Sequence, residues 1–174
     1  MDGDDGCGLA KPSRVLKLTV HALTEPSPRG RGLALSGYDA CVDNQGDYEF
    51  SIDPSRNDLD RVVAFLRQSY WAPDRRRDVI EKSLRNSLCL GVYRKADGLQ
   101  VDFCRVVTDY ATFGWVCDVF VDSAFRAHGL GTAMLEKLVN LSDLRGLRLI
   151  LATRDAHSLY GTFGFEALPR PSVG

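Results

Sequence analysis

Residues 115–139, WVCDVFVDSAFRAHGLGTAMLEKLV, predict a strand, a tight turn and a helix in direct succession. An apolar run of strand length comes first, and the polar pair Asp122-Ser123 ends it. Apolar residues then return at the spacing of a helix. The apolar residues of the strand are Val116, Val119, Phe120 and Val121, and those of the helix are Leu130, Met134, Leu135, Leu138 and Val139.

The turn between this strand and this helix reads Arg126-Ala127-His128-Gly129-Leu130-Gly131. Glycines at the start of a helix let backbone N–H groups approach a ligand, because no Cβ stands in the way. These first N–H groups have no partner inside the helix, and the helix dipole favours an anion at that end. The segment therefore predicts a binding site for a phosphate or pyrophosphate.

The spacing of the glycines excludes two common phosphate-binding loops. A Rossmann fingerprint has a third small residue three positions after Gly131, where this chain has Met134. A P-loop requires Gly-Lys-Ser/Thr, whereas Thr132-Ala133 follows Gly131 here. The pattern Arg-x-x-Gly-x-Gly after an apolar strand instead resembles the coenzyme A loop of the GNAT superfamily of acyl-CoA N-acyltransferases.

A second segment carries the same resemblance. The apolar strand 149–153 is followed by AHSLYGTFGF at 156–165, which is similar to the family's later A-x-x-L-Y-x-x-x-G-F helix and contains a tyrosine. The two motifs stand in the family's order, and the resemblance covers residues 47–169. A glycine-rich helix start in another kind of α/β domain is the alternative interpretation.

The resemblance implies a mixed α/β fold, in which helices flank a central mixed β-sheet, and acetyl-CoA as the cosubstrate without a metal. It implies that strands four and five of the domain are parallel and splay apart around the pantetheine arm. Backbone groups of strand four are expected to bind that arm like an added strand. The expected cofactor-binding residues are Val119, Phe120, Val121, Arg126, Ala127, His128, Gly129, Leu130, Gly131 and Thr132.

The implied reaction is direct transfer of an acetyl group to a primary amine, in which the departing thiolate needs a proton. Tyr160 matches the family's tyrosine and is the candidate acid; a core aromatic is the alternative. Asp118 is the candidate base, and a structural carboxylate paired with Arg105 or Arg154 is the alternative. His157 is another candidate base, for which a surface or capping role is the alternative.

Tyr70 and Trp71 follow the first predicted helix, and by resemblance this loop helps to shape the acceptor pocket. We therefore expect both rings to bind the acceptor, the alternative being that they cover the core. The acceptor is expected to be an amine-bearing small molecule or peptide, and the fold does not choose between them. The alternative function is a catalytically degenerate CoA-binding module that acts through a protein partner.

Asp102 departs from the family pattern, which commonly has a glycine at this place in the strand. Because it stands between Val101 and Phe103, its carboxylate is expected to be exposed or to pair with Arg105. The chain also continues for only nine residues after Phe165. This predicts a short closing hairpin and an edge that a partner chain covers, as in a homodimer.

Length and composition exclude several classes of protein. A chain of 174 residues with 44% hydrophobic residues suits one domain with its own core. A net charge of −1 recruits neither nucleic acid nor a membrane surface, and no apolar run reaches the roughly 18 residues of a membrane span. The five cysteines have no metal-binding spacing and indicate a reducing, cytoplasmic setting. No G-x-S-x-G motif supports a hydrolase.

Residues 1–46 are rich in Gly, Pro and Ser, which predicts a flexible N-terminal extension outside a domain at 47–174. Within the extension, 15–20 alone predicts a strand, and we expect deletion of 1–46 to leave stability and cofactor affinity nearly intact. The domain is predicted to have a first helix with Asn57 or Asp58 as its N-cap and a second helix at 74–88. Its strands are predicted at 48–52, 88–93, 99–107, 112–121 and 147–152, and residues 95–98 join the second and third of these as a hairpin. The residues expected to be buried in the two helices are Leu59, Val62, Val63, Leu66, Val79, Ile80 and Leu84.

Overall fold

The computed structural model describes residues 16–21 and 41–167, which form eight strands and four α-helices. The strands are β1 (Leu16–His21), β2 (Cys41–Gln45), β3 (Tyr48–Ser51), β4 (Leu88–Arg94), β5 (Gln100–Thr108), β6 (Phe113–Val121), β7 (Arg148–Thr153) and β8 (Glu166–Ala167). The helices are α1 (Leu59–Arg67), α2 (Arg77–Arg85), α3 (Leu130–Asn140) and α4 (His157–Gly161). In this part of the chain, no helix has the length and apolar content needed to cross a bilayer.

The strands form one mixed sheet in the order β2-β3-β4-β5-β6-β7-β1-β8. The neighbours β6 and β7 are parallel, and helix α3 connects them, whereas the other described pairs are antiparallel. The predicted mixed α/β fold and the predicted parallel pair are therefore confirmed. A parallel pair needs a crossover, and α3 supplies it by packing its apolar residues on the sheet.

Helices cover both faces of the sheet. Alternate residues of β4 face opposite sides, so Leu88 and Leu90 pack with α3 while Cys89 packs with α1 and α2. Helix α1 begins after Asp58, one of the two predicted caps, whose side chain accepts hydrogen bonds from two N–H groups of the first turn. Helix α2 is shorter than predicted. Its Ile80 is buried, as predicted. Val79 was also expected to be buried but is 48% exposed, because neighbouring residues of a helix point about 100° apart.

The N-terminal segment contributes to the sheet, which corrects the boundary expected at 46/47. Strand β1 pairs antiparallel with β7 along all six of its residues, and β8 pairs with Leu18 and Thr19 on the other side of β1. Strand β2 forms a hairpin with β3. The edge of β7 is therefore covered by the chain itself, which removes the argument for a partner at that edge. The remaining parts of the extension that was predicted to be flexible, 1–15 and 22–40, lie outside the described residues.

Asp102 is neither exposed nor paired with Arg105, contrary to the sequence-based expectation. Its side chain is completely buried, and one carboxyl oxygen accepts a hydrogen bond from the Phe103 N–H at 2.7 Å. The other oxygen has no partner among the described residues. Burial raises the pKa of this carboxyl well above its usual value, because the core favours the neutral form of the acid.

Thr19 tests whether β1 is part of the folded domain. Strand β1 has a paired neighbour on each side at Thr19. Proline at this position therefore removes one inter-strand hydrogen bond, whichever neighbour the Thr19 N–H faces. We expect Thr19→Pro to lower the free energy of unfolding by about 1–3 kcal/mol in urea titrations. Thr19→Val keeps the donor and is the matched control with an unchanged midpoint. Equal midpoints for the two variants would place β1 outside the cooperative unit.

Candidate active site

The site begins where β6 leaves β7. The two strands pair from Phe113 to Val116 on β6 and from Arg148 to Leu151 on β7, and the ladder then stops. Directly afterwards, Asp118 and Val119 lie together opposite the single residue Cys104 of β5, which is a β-bulge, and Asp118 has a left-handed φ of 54°. The bulge bends β6 away from β7, so a cleft opens between their carboxyl ends.

A cavity of about 560 Å³ lies on one side of this cleft, between the end of β6 and the start of α3. Nine of the ten predicted cofactor-binding residues line it: Val119, Phe120, Val121, Arg126, Ala127, Gly129, Leu130, Gly131 and Thr132. The tenth, His128, does not. Its Nδ1 lies 3.2 Å from the Phe125 carbonyl and 3.0 Å from the Arg126 carbonyl, so the ring turns back onto its own loop.

The start of α3 has the features that a pyrophosphate requires. Gly129 caps the helix in the left-handed region, at φ 72°, and within the described residues no side chain bonds the N–H groups of the first turn. A Cβ at Gly129 would meet no atom within 4 Å, so open space lies beside these donors. At Gly131, a Cβ would lie 3.1 Å from a methyl group of Val121, so the glycine permits the close approach of helix and strand. The residues present therefore fit an anionic ligand.

A second cavity of about 400 Å³ lies on the other side of the cleft. It shares four lining residues with the first, so the two cavities meet there: Tyr70, Trp71, Val119 and Asp155. The Tyr70 and Trp71 rings pack edge to face at 4.9 Å and are 44% and 39% exposed. The structure therefore places both predicted acceptor-binding rings at the junction.

Tyr160 lines the second cavity from helix α4. Its ring packs edge to face on Phe165 at 5.8 Å, and the residue is 6% exposed. No hydrogen bond joins its hydroxyl to another residue of the described chain, so the phenol proton is available to a ligand. Burial raises the pKa of Tyr160 well above its usual value, so the hydroxyl stays protonated at neutral pH.

Asp118 is the centre of a buried ionic cluster. Its Oδ2 accepts from Arg75 at 2.7 Å and from Arg105 at 2.9 Å, while its Oδ1 accepts from the Trp71 indole at 3.2 Å. The side chain is 3% exposed. Both carboxylate oxygens are thus occupied by protein donors, which is the geometry of the structural alternative. Of the two arginines predicted from the sequence as partners, Arg105 pairs with Asp118 in the described structure and Arg154 does not.

Comparison with known proteins shows to which family this chain belongs. The sequence profile of the acetyltransferase (GNAT) domain matches residues 86–167, from the start of β4 to β8. A Gibberella zeae protein named provisionally as an acetyltransferase is 32% identical over an alignment of 139 residues, and the match covers 67% of this chain and 77% of that protein. The chain belongs to the GNAT family of acetyltransferases.

Solved GNAT structures agree with the fold. One from Xanthomonas campestris pv. campestris, provisionally named as a GNAT acetyltransferase, has a TM-score of 0.67 and 37% identity, and the match covers 74% of this chain and 89% of that one. A histone acetyltransferase of Glycine max is 28% identical over 128 residues. The present chain spans about half of that protein's length, since the match covers 49% of it.

Sequence reasoning missed two residues of this GNAT site. Asp155 lines both cavities, and it follows β7 at the carboxyl end of the parallel pair, where α/β proteins place ligand sites. That position was a usable signal. Arg75 had none, since three arginines follow one another at 75–77 and no pattern distinguishes the one that turns inward. His157, the second candidate base, lines neither cavity.

The ionic cluster gives a stability prediction. Asp118→Asn leaves the Arg105 guanidinium, whose side chain is 12% exposed, without its counter-charge. We expect a loss of about 3 kcal/mol in the free energy of unfolding, because a buried charge left alone is costly. Asp78→Asn breaks the exposed pair with Arg76 and is the control, with a loss below about 1 kcal/mol. Losses of equal size would contradict a structural role for Asp118.

Proposed function

We propose that this GNAT protein transfers an acetyl group from acetyl-CoA directly to a primary amine. The observation that carries the proposal is that the two cavities meet at Val119 and Asp155. One cavity ends at the start of α3, where Gly129 is the cap and no described side chain bonds the first N–H groups, and the other contains Tyr160, whose pKa is raised by burial. A cofactor in the first cavity and an amine in the second would therefore meet inside one cleft.

Acetyl-CoA supplies an acetyl group already activated as a thioester. We assign its pyrophosphate to the N–H groups of residues 130–132 and to Arg126, which is exposed beside them. The edge of β6 beyond Val116 has no strand partner on the β7 side, so its backbone groups can bind an extended arm there. These contacts use backbone atoms, so the glycines are the critical residues.

In the transfer step, the neutral amine forms a bond to the acetyl carbon as the carbon–sulfur bond breaks. Tyr160 gives its proton to the departing sulfur and regains one from solvent. The amine loses its own proton at the exposed junction near Asp155. Asp118 was the candidate base, but we assign it to holding Arg75, Arg105 and Trp71 in position, because those donors occupy both of its oxygens.

A catalytically degenerate CoA-binding module remains the second candidate function. It would bind the cofactor and release no thiol with any amine, acting instead through a protein partner. The presence of both Gly129 and Tyr160 in an open cleft favours the enzyme. Thiol release from acetyl-CoA with a panel of amines separates the two functions.

The first test concerns the pyrophosphate site. Acetyl-CoA at a hundredfold excess over Kd should stabilise the protein by about 2.7 kcal/mol, seen as a rise in Tm. Gly129→Asp places a negative charge in the open space beside the donors and should abolish this shift. Gly129→Asn has the same shape and also tolerates the left-handed φ, so it should retain most of the shift. Equal shifts in both variants would move the pyrophosphate elsewhere.

The second test concerns the acid. Tyr160→Phe should reduce kcat by roughly 10² to 10⁴, the usual contribution of a positioned acid. The acetyl-CoA shift in Tm should persist, and stability should change little because the hydroxyl bonds no described residue. Tyr93→Phe is the control, since that buried hydroxyl also has no described partner and lines neither cavity. Normal turnover in Tyr160→Phe would eliminate the acid role.

The same assignment fixes a pH dependence. The raised pKa keeps Tyr160 protonated above the ordinary tyrosine value of about 10. The wild-type rate should therefore rise as the acceptor amine loses its proton and should show no falling limb up to about pH 10. A fall in kcat beginning near pH 8, with the protein still folded by circular dichroism, would contradict Tyr160 as the acid.

A further inference from the structure

The second cavity has a cationic end with donors to spare. Arg105 uses all three of its nitrogens: Nε and Nη2 lie 2.9 Å from Asp118 Oδ2, and Nη1 bonds the Ser87 hydroxyl, so the spare donors belong to Arg75. Arg75 lines the same cavity, is 26% exposed, and bonds Asp118 through Nη1 alone. Its Nε and Nη2 have no partner among residues 46–167. One carboxylate is thus shared by two guanidiniums, so this end carries an excess positive charge.

The junction of the two cavities holds a second charged side chain, the carboxylate of Asp155. Asp155 is exposed at the junction of the two cavities and forms no ion pair within residues 46–167. The adjacent guanidinium, that of Arg154, does not neutralise it. It lies instead over the Tyr70 ring, 3.8 Å from the ring centre. A negative group therefore stands at the junction, where an amine would meet the acetyl group, and the positive groups of Arg75 and Arg105 line the second cavity alone.

We propose that the acceptor is a small amine that also carries a carboxylate, with the amine held at Asp155 and the carboxylate bound by Arg75. This inference rests on the proposed function. The guanidinium fork matches a carboxylate in shape as well as charge. A cavity of about 400 Å³ accommodates a small molecule, and the Trp71 and Tyr70 rings give it an apolar wall for the carbon chain between the two charges.

The charge arrangement disfavours a lysine side chain within a basic peptide. Such a peptide brings further positive charges to a wall that holds Arg75 and Arg105, and Arg154 lies nearby over the Tyr70 ring; only the carboxylates of Asp118 and Asp155 line the same cavity. The repulsion between like charges is stronger in a partly buried site than in water, because less solvent is present to screen them. A basic peptide, such as a histone-type lysine peptide, is therefore the opposing substrate class in the test.

The test compares amines that differ only in the carboxylate. Thiol release from acetyl-CoA is measured with glycine, β-alanine and γ-aminobutyrate, each against the alkylamine in which a methyl group replaces the carboxylate. A lysine peptide with several basic residues is the further arm. We expect kcat/KM to be about 10- to 100-fold higher for the carboxylate member of at least one pair, the usual effect of a hydrogen-bonded charge.

Two variants connect that preference to Arg75. Arg75→Gln should raise KM for the preferred amino acid about tenfold or more, with kcat for that substrate nearly unchanged, and should remove the preference over its alkylamine. Arg75→Lys keeps the charge but loses the fork, so its preference should be intermediate; it also replaces Arg75→Gln if that variant does not fold. Arg76→Gln is the control, because the neighbouring arginine is 78% exposed and bonds Asp78.

The outcomes separate this inference from the proposed function. Equal rates for both members of every pair, or a preference for the lysine peptide, would overturn the acceptor class while acetyl transfer stands. An acetyl-CoA shift in Tm without thiol release for any amine would overturn the acceptor class and favour the binding module. No shift and no thiol release would overturn the proposed function itself. A preference that survives in Arg75→Gln would overturn the role of Arg75.

Discussion

The end of the β6–β7 ladder after Val116 is the constraint on which the rest of the site depends. Strand β6 must leave β7 while it stays paired with β5, and the bulge at Asp118 and Val119 makes both possible. A residue other than glycine at φ 54° costs about 1–3 kcal/mol and persists only where its surroundings hold it. Arg75, Arg105 and Trp71 do so by fixing the carboxylate of that same residue. The ionic cluster therefore stabilises the bend that opens the cleft.

Strand β7 loses part of its partner on one side and is supported on the other. Where β6 has departed, β1 still pairs with β7 as far as Leu16 and Thr153. A strand with one free edge is held by the ladder on its opposite edge, so the cleft stays open without fraying β7. Strand β1, which is distant from β7 in sequence, thus supports one wall of the cleft although it lines neither cavity.

The two ends of the cleft differ in the kind of atom that they use. The proposed cofactor end is made of backbone N–H groups and two glycines, all within one strand-turn-helix segment. The proposed acceptor end is made of side chains from the loop before α2, from β5 and β6, and from the turn after β7. This division explains why GNAT membership could be established from a short segment, whereas the acceptor had to be inferred from charges that only the fold assembles.

The sequence by itself determined the local features: the strand and helix around Gly129, the Asp58 cap of α1, the β4–β5 hairpin and the position of Tyr160 on a short helix. Each depends on residues within a few positions of one another, so a periodicity or a motif is sufficient to predict it. Only the tertiary structure decided which donors surround Asp118, since Arg75 lies 43 positions away in the chain. It also decided that β1 enters the sheet, that Asp102 is buried and that Asp155 faces both cavities. These depend on pairings between distant segments, and a local pattern carries no record of which distant segment will be the neighbour.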